Sequence, residues 1–152
     1  KFGLSQPQAH AGIHRLLPVL QQALRPLGEA PERDARRVAT RDLARAGAPD
    51  LTIDGSERRR QRPKEHAKQK EHYSGKKKTP TDKNILLVNA NTKKVAYLSP
   101  TVAGTTHDKQ ATDDAQSAYP HNATLDKDTG LQGYEPTGTQ TRQPQKSPKA
   151  KS

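Results

Sequence analysis

Two aspartates stand where a folded chain could present them to a metal ion. Asp54 closes the short apolar run 51–53 and is followed by Gly55, and Asp128 follows a segment with strand character and precedes residues 129–130, Thr-Gly. Hard divalent cations such as Mg²⁺ prefer oxygen ligands, so two carboxylates at strand ends could hold one. The alternative is that both segments are ordinary turns, because Asp and Gly favour turn geometry.

A strongly basic stretch lies between the two aspartates. Residues 58–78 contain ten Lys or Arg residues and two acids, and the whole chain carries a net charge of +11. Such a field attracts phosphates, and counterion release would give affinity for DNA without sequence readout. The alternative is a solvated surface, which charge runs usually form. The candidate DNA-binding residues are Arg58, Arg59, Arg60, Arg62, Lys76, Lys77 and Lys78.

Histidine offers less chemistry here. His107 and Asp108 are possible supporting residues, because a histidine at a helix start beside a sheet could orient a carboxylate or contact DNA. A simple capping role is the alternative. His10 and His14 have the i, i+4 spacing of a metal pair, but no Glu lies between them as in a metalloprotease helix. We therefore expect these two on an exposed polar face.

Composition limits how large the folded part can be. Only 29% of the residues are hydrophobic, against roughly 45–50% apolar content, glycine included, in typical domains. We therefore expect a small core and substantial irregular backbone. The longest aliphatic run, residues 85–88, is far shorter than the ~20 residues of a membrane span, which argues against a membrane protein. Cysteine is absent, which excludes disulfides and Cys-ligated zinc and suits a reducing compartment.

The elements that must position the candidate residues follow from periodicity and turn signals. Apolar residues at spacings of three and four predict a helix over residues 4–28, with Ser5 as N-cap, Pro7 in the first turn and a kink or break at Pro18. Residues 29–49 are predicted to be a linker, with one helical turn near residues 36–44.

Beyond the linker the pattern predicts an α/β arrangement. Strands are expected near residues 51–54, 84–90, 95–99 and 124–127, with a turn at residues 89–93 joining the second and third. A short helix is expected over residues 107–119, with Thr106 as its N-cap. Residues 137–152 contain no large aliphatic side chain and are predicted to be a disordered basic tail.

Four segments in order resemble the DDE superfamily of insertion-sequence transposases, whose catalytic domain is ribonuclease H-like. They cover residues 51–59 (LTIDGSERR), 72–79 (HYSGKKKT), 104–109 (GTTHDK) and 128–134 (DTGLQGY). The N-terminal segment through Leu24 resembles the end of a preceding helix-turn-helix, which would make residues 1–28 its remnant. Residues 50–136 would then be a partial DDE endonuclease domain with a partial ribonuclease H-like mixed sheet.

The resemblance implies roles for individual residues. Asp54 and Asp128 would be the first and second catalytic carboxylates and would hold a divalent metal, Mg²⁺ or Mn²⁺. The partners would be transposon ends and target DNA, with a homo-oligomer in the intact parent and a cytoplasmic, nucleoid-associated location in bacteria.

The resemblance also implies a third acid, a Glu on a helix further along the chain. No candidate for it follows Asp128, because Glu135 is too close and residues 136–152 contain no acid. We therefore expect a transposase fragment that is inactive by itself. The alternative is a non-enzymatic basic nucleic-acid-binding polypeptide from a decayed open reading frame, and a third possibility is an RNA-associated basic protein; metal dependence would separate the first from the others.

Overall fold

The computed structural model describes residues 3–40 and 49–144. The chain divides into two compact units, Lys1–Pro31 and Glu32–Ser152, which are described separately. Among the described residues, no helix is both long and apolar enough to cross a membrane.

The first unit contains helix α1, Gln6–Leu24. As predicted, Ser5 is the N-cap, and its backbone N–H donates to the side-chain carbonyl of Gln8 at 2.9 Å. Of the kink or break predicted at Pro18, the break is wrong, since Pro18 lies inside one continuous helix, and the kink stays a prediction. Proline removes a single i→i−4 hydrogen bond, and the turns on both sides keep theirs. The apolar stripe is exposed, with Leu16 63% and Leu20 53% accessible.

The second unit contains a sheet of seven strands, built from the described residues, whose central order is β2-β3-β1-β6-β7. The strands are β1 (Asp50–Arg59), β2 (Tyr73–Ser74), β3 (Thr79–Asn89), β4 (Val95–Leu98), β5 (Val102–Ala103), β6 (Ala123–Lys127) and β7 (Thr139–Arg142). β1 runs antiparallel to β3 but parallel to β6, and β6 runs parallel to β7. β4 and β5 both pair with β3. The predicted α/β class with a mixed sheet is therefore confirmed.

The helices of this unit flank the sheet and follow the strand ends. α2 (His66–His72) and α3 (Asp108–Ala115) lie in the connections, and 3₁₀ turns span Ala35–Thr40 and Thr129–Leu131. α3 begins within the predicted range, but its N-cap is His107 rather than Thr106. The 3₁₀ turn at Ala35–Thr40 overlaps the predicted helical turn, whose remainder at residues 41–44 lies outside the described residues.

One face of the sheet forms the core. Leu51, Ile53, Leu87 and Leu125 are at most 2% exposed, and the core also includes Leu131, Tyr134 and Ala111 from the surrounding elements. Along β1, buried residues alternate with exposed ones, so the opposite face of this strand is open. The sheet thus has a covered face and an open face.

Two strand boundaries differ from the sequence-based prediction. β1 does not end at Asp54 but continues to Arg59, because β3 is also longer and pairs with it as far as Thr81. Asp54 therefore lies inside a strand, and Arg58 and Arg59 lie on that strand rather than in a loop. The predicted tail also begins too early, since Thr139–Arg142 form β7 beside β6. Backbone pairing with β6 orders this polar segment without a large apolar side chain; residues 145–152 lie outside the described residues.

Candidate active site

The strand register brings the two candidate carboxylates together. Ile53 of β1 pairs with Lys127 of β6 in parallel, so the next residues, Asp54 and Asp128, occupy matching positions on neighbouring chain segments. Neighbouring strands lie about 4.8 Å apart. Ile53 and Lys127 are buried on the covered face, so the alternation of side chains directs Asp54 and Asp128 toward the open face. Two acids separated by more than seventy residues of sequence become neighbours.

Both carboxylates have the same local surroundings. Asp54 Oδ1 accepts a hydrogen bond from the backbone N–H of Gly55 at 2.7 Å, and Asp128 Oδ1 accepts one from the backbone N–H of Thr129 at 2.6 Å. Both side chains are exposed to solvent. In each residue, the hydrogen bond to the next backbone N–H uses only Oδ1. The other carboxylate oxygen, Oδ2, makes no hydrogen bond to that N–H.

Asp54 and Asp128 line the same two clefts. One, of about 390 Å³, is also bordered by Gly55, Glu57, Lys76 and residues 104–108. The other, of about 520 Å³, opens on the sheet face with Asp126 and Arg142 along its wall. Arg142 is paired with the carboxylate of Asp126 at 2.6 Å, and it reaches Asp50 at 3.2 Å. Asp54 and Asp128 (the paired acids) thus line both clefts, which are open to solvent.

The two possible supporting residues occupy different surroundings. His107 is exposed at the start of α3 and borders the smaller cleft. Asp108 is partly buried, and its Oδ1 lies 2.9 Å from the ammonium of Lys83, whose side chain is 11% exposed. Of these two residues, Asp108 contacts the sheet, through its ion pair with Lys83 of β3.

Six of the seven predicted DNA-binding residues divide into two groups, and the seventh, Arg59, is exposed as the last residue of β1. Three of the arginines contact protein atoms: Arg58 donates to Asn84 and Thr101, Arg60 pairs with Asp82 at 2.9 Å, and Arg62 donates to Gln69 at 3.0 Å. Lys76, Lys77 and Lys78 are exposed in the turn between β2 and β3, and Lys76 borders the smaller cleft. Through Lys76, the lysine group borders the cleft that Asp54 and Asp128 also line.

Glu57 is an acid at the cleft that sequence reasoning did not single out. Burial alone would raise the pKa of Glu57, but hydrogen bonds from Ser74 and Thr81 and the charges of Lys83 and Lys77 hold the pKa below its usual range. The Thr81 hydroxyl donates to Glu57 Oε1 at 2.7 Å. Glu57 lies only three residues after Asp54, and this closeness in sequence could have drawn attention to it. On a strand, however, side chains three residues apart point to opposite faces, so Glu57 and Asp54 lie on opposite faces of β1.

The donor set at the paired acids fits a hydrated divalent ion. Mg²⁺ is usually bound by one or two carboxylates and keeps several of its waters, and Asp54 and Asp128 provide two exposed carboxylates that share a cleft. Across residues 3–40 and 49–144, no group of three or more His, Cys, Asp or Glu side chains is arranged to hold a metal. The assignment of Asp54 and Asp128 as ligands stays a prediction.

Comparison with known families gives one match. The family model of the DDE superfamily endonucleases matches residues 53–137, which is more than half of the chain and includes both paired acids. No curated protein and no solved structure matches the chain.

The mixed sheet of this α/β unit carries Asp54 inside β1 and Asp128 directly after β6, the parallel neighbour of β1. The chain belongs to the DDE superfamily endonucleases. The resemblance seen in the sequence is therefore confirmed, and a transposase-like nuclease function on DNA follows at the level of the family.

Proposed function

We propose that this chain carries two of the carboxylates of a transposase active site that cleaves DNA phosphodiester bonds and transfers strands. The observation that supports the proposal is the parallel pairing of Ile53 with Lys127, because Asp54 and Asp128 are the residues that directly follow this pair. Membership of the DDE superfamily endonucleases supports DNA as the substrate. The parent would be an insertion-sequence transposase that acts on transposon ends and target DNA as a homo-oligomer, in the nucleoid of a bacterial cytoplasm.

Asp54 and Asp128 would hold Mg²⁺ or Mn²⁺ through their free carboxylate oxygens. The bound ion would supply charge neutralisation at the scissile phosphate and would lower the pKa of an attacking water or 3′-hydroxyl. The backbone N–H groups of Gly55 and Thr129 orient the two carboxylates. Lys76, Lys77 and Lys78 would hold the DNA backbone next to the smaller cleft by charge.

We further propose that the 152-residue chain does not cleave DNA by itself. The family resemblance implies a third acid. The next acid after Asp128 is Glu135, whose carboxylate pairs with Lys127 and accepts a hydrogen bond from Thr141, and Glu135 does not line either cleft. Two carboxylates can recruit an ion weakly, but stabilising both the attacking and the leaving oxygen requires a fixed geometry.

The test measures Mn²⁺ binding by electron paramagnetic resonance and nicking of supercoiled plasmid. We expect the wild-type chain to bind Mn²⁺ weakly, Asp54→Ala and Asp128→Ala to lose that binding, and the exposed-acid control Asp114→Ala to keep it. Nicking by the chain that disappears in Asp54→Ala would support the metal site but contradict inactivity. Salt-sensitive DNA binding without any Asp54-dependent Mn²⁺ binding would instead favour the non-enzymatic, basic nucleic-acid-binding alternative.

A further inference from the structure

We propose that Asp108 is a positioning residue that sets the spacing between the two chain segments carrying Asp54 and Asp128. This inference rests on the proposed function of those two acids. It assigns a role to the start of α3, which otherwise borders the cleft without contacting the reacting groups. The Asp108 carboxylate approaches two glycines closely and forms a charge pair with Lys83.

The carboxylate of Asp108 lies directly against both segments. A Cβ at Gly55 would meet Asp108 Oδ1 at 2.7 Å and Cγ at 2.8 Å, and a Cβ at Gly130 would meet Oδ2 at 3.1 Å. Contacts below 3.0 Å are essentially never made by a real Cβ. Gly55 directly follows Asp54, and Gly130 is two residues after Asp128. The Asp108 carboxylate therefore lies between two backbone segments: the one at Gly55, next to Asp54, and the one at Gly130, near Asp128.

A charge pair fixes this carboxylate in place. Asp108 Oδ1 is buried and receives no hydrogen bond of regular geometry from the described residues, so the ammonium of Lys83 at 2.9 Å compensates its burial. Lys83 also donates to the backbone carbonyl of Thr106 at 2.6 Å, which ties β3 to the segment before α3. A buried charge that loses its partner is costly, so Asp108 and Lys83 hold each other.

The consequence concerns the distance between the paired acids. β6 ends at Lys127, so no strand pairing between β1 and β6 extends to Asp128 itself. Beyond the end of β6, the Asp108 carboxylate contacts both segments, at Gly55 and at Gly130. Removing it would let residues 128–130 shift relative to β1. Residues that orient metal ligands typically change metal affinity by 10–100-fold when mutated.

The experiment uses the full chain and two readouts. The first is Mn²⁺ affinity by electron paramagnetic resonance. The second, made without metal, is amide hydrogen exchange at Gly55 and Thr129, whose N–H groups donate to the two paired acids. The variants are Asp108→Ala, which empties the space; Asp108→Asn, which keeps the shape without the charge; and Gly55→Ala, which forces the carboxylate away. Asp114→Asn on the exposed side of α3 is the matched control.

We expect Asp108→Ala and Gly55→Ala to weaken Mn²⁺ binding at least about tenfold, with Asp108→Asn showing a smaller effect. Asp108→Ala should speed amide exchange at Gly55 and Thr129, and Gly55→Ala should speed it at Thr129. Exchange at Leu87 in β3 and the properties of Asp114→Asn should stay unchanged. Unchanged affinity and unchanged exchange in Asp108→Ala would overturn the inference.

Two other outcomes are informative. If Asp108→Ala fails to unfold cooperatively on heating, Asp108→Asn and Gly55→Ala decide, and wild-type behaviour in both overturns the inference. If the wild-type chain shows no Asp54-dependent Mn²⁺ binding, the proposed function fails, and amide exchange alone decides on positioning. Faster exchange at both amides then supports the role of Asp108, and unchanged exchange rejects it.

Discussion

Three of the four acids that border the smaller cleft differ in what surrounds each carboxylate. Asp54 is exposed and bonded only to the backbone beside it, so it remains accessible to a ligand. Glu57 is held by hydroxyl groups and nearby lysines, and Asp108 is paired with Lys83 against two glycines. The same functional group therefore serves as a candidate ligand, as part of the hydrogen-bond network and as a spacer. Their order along the chain does not reveal this division.

At the residue scale, Glu57 should make stability depend on pH. Because the pKa of Glu57 is lowered in the folded state, its ionised form stabilises the protein above the usual glutamate pKa of about 4.3, and this contribution is lost as the pH falls through the lowered folded value. We expect Glu57→Gln to be less stable than wild type at about pH 7 and the difference to shrink at about pH 3.

Thermal unfolding at both pH values measures this difference. Glu71→Gln, an exposed acid in α2, is the control and should show little change at either pH. A destabilisation by Glu57→Gln that is equal at both pH values would contradict the assignment, since it would then come from packing rather than from the charge.

At the element scale, the pairing of β1 with β6 carries the candidate site. Leu51 and Leu125 face each other across this parallel pair and both are fully buried. Asp54 inside β1 and Asp128 directly after β6 can stay in register only while this apolar contact holds the two strands together. Core packing three residues before each acid is thus a requirement for the geometry of the site.

Leu125→Ala should therefore be strongly destabilising. Removing a buried leucine side chain typically costs about 2–5 kcal/mol, because transfer free energy is lost and a cavity remains. Urea unfolding measures the change, and Val95→Ala in β4, whose side chain is 39% exposed, should cost much less. Equal losses in the two variants would show that the β1–β6 contact is not part of the core.

The β2–β3 turn is the element that brings basic charge to the cleft. Its three lysines are exposed, whereas Arg58, Arg60 and Arg62 contact side chains of the same domain. Replacing the arginines would therefore change both charge and internal contacts, and replacing the lysines changes mainly charge.

At the scale of the whole molecule, a net charge of +11 predicts DNA binding that weakens steeply with salt. A triple variant with Gln at Lys76, Lys77 and Lys78 should bind duplex DNA more weakly. The slope of log affinity against log salt should fall by as much as about 2–3, since each phosphate contact contributes about 0.9.

Fluorescence anisotropy across a salt series measures this slope. The control replaces Lys93 and Lys94 by Gln at the turn between β3 and β4, the opposite end of β3. A larger loss of slope in that control than in the triple variant would place the phosphate contacts away from the candidate site.

Local sequence patterns were sufficient to predict the class of the fold and to single out Asp54 and Asp128 as candidate ligands. Short apolar runs bounded by turn signals predicted β1, β3, β4 and β6, and four short segments in order were sufficient to identify the DDE family. These features depend on neighbours within a few residues, which is why they can be recognised without coordinates. The extension of β1 past Asp54 and the formation of β7 could not be recognised this way, because each depends on a partner strand rather than on its own side chains.

Only the tertiary structure decided how the acids are arranged. The pairing of Ile53 with Lys127 joins segments more than seventy residues apart, and one step of register would have moved every side chain to the other face. The contact of Asp108 with Gly55 and Gly130 likewise depends on how α3 packs against the sheet. Strand-forming tendency is a local property of a segment. Register and close packing depend on the free energy of burying the whole core, and the residues of that core come from many segments of the chain.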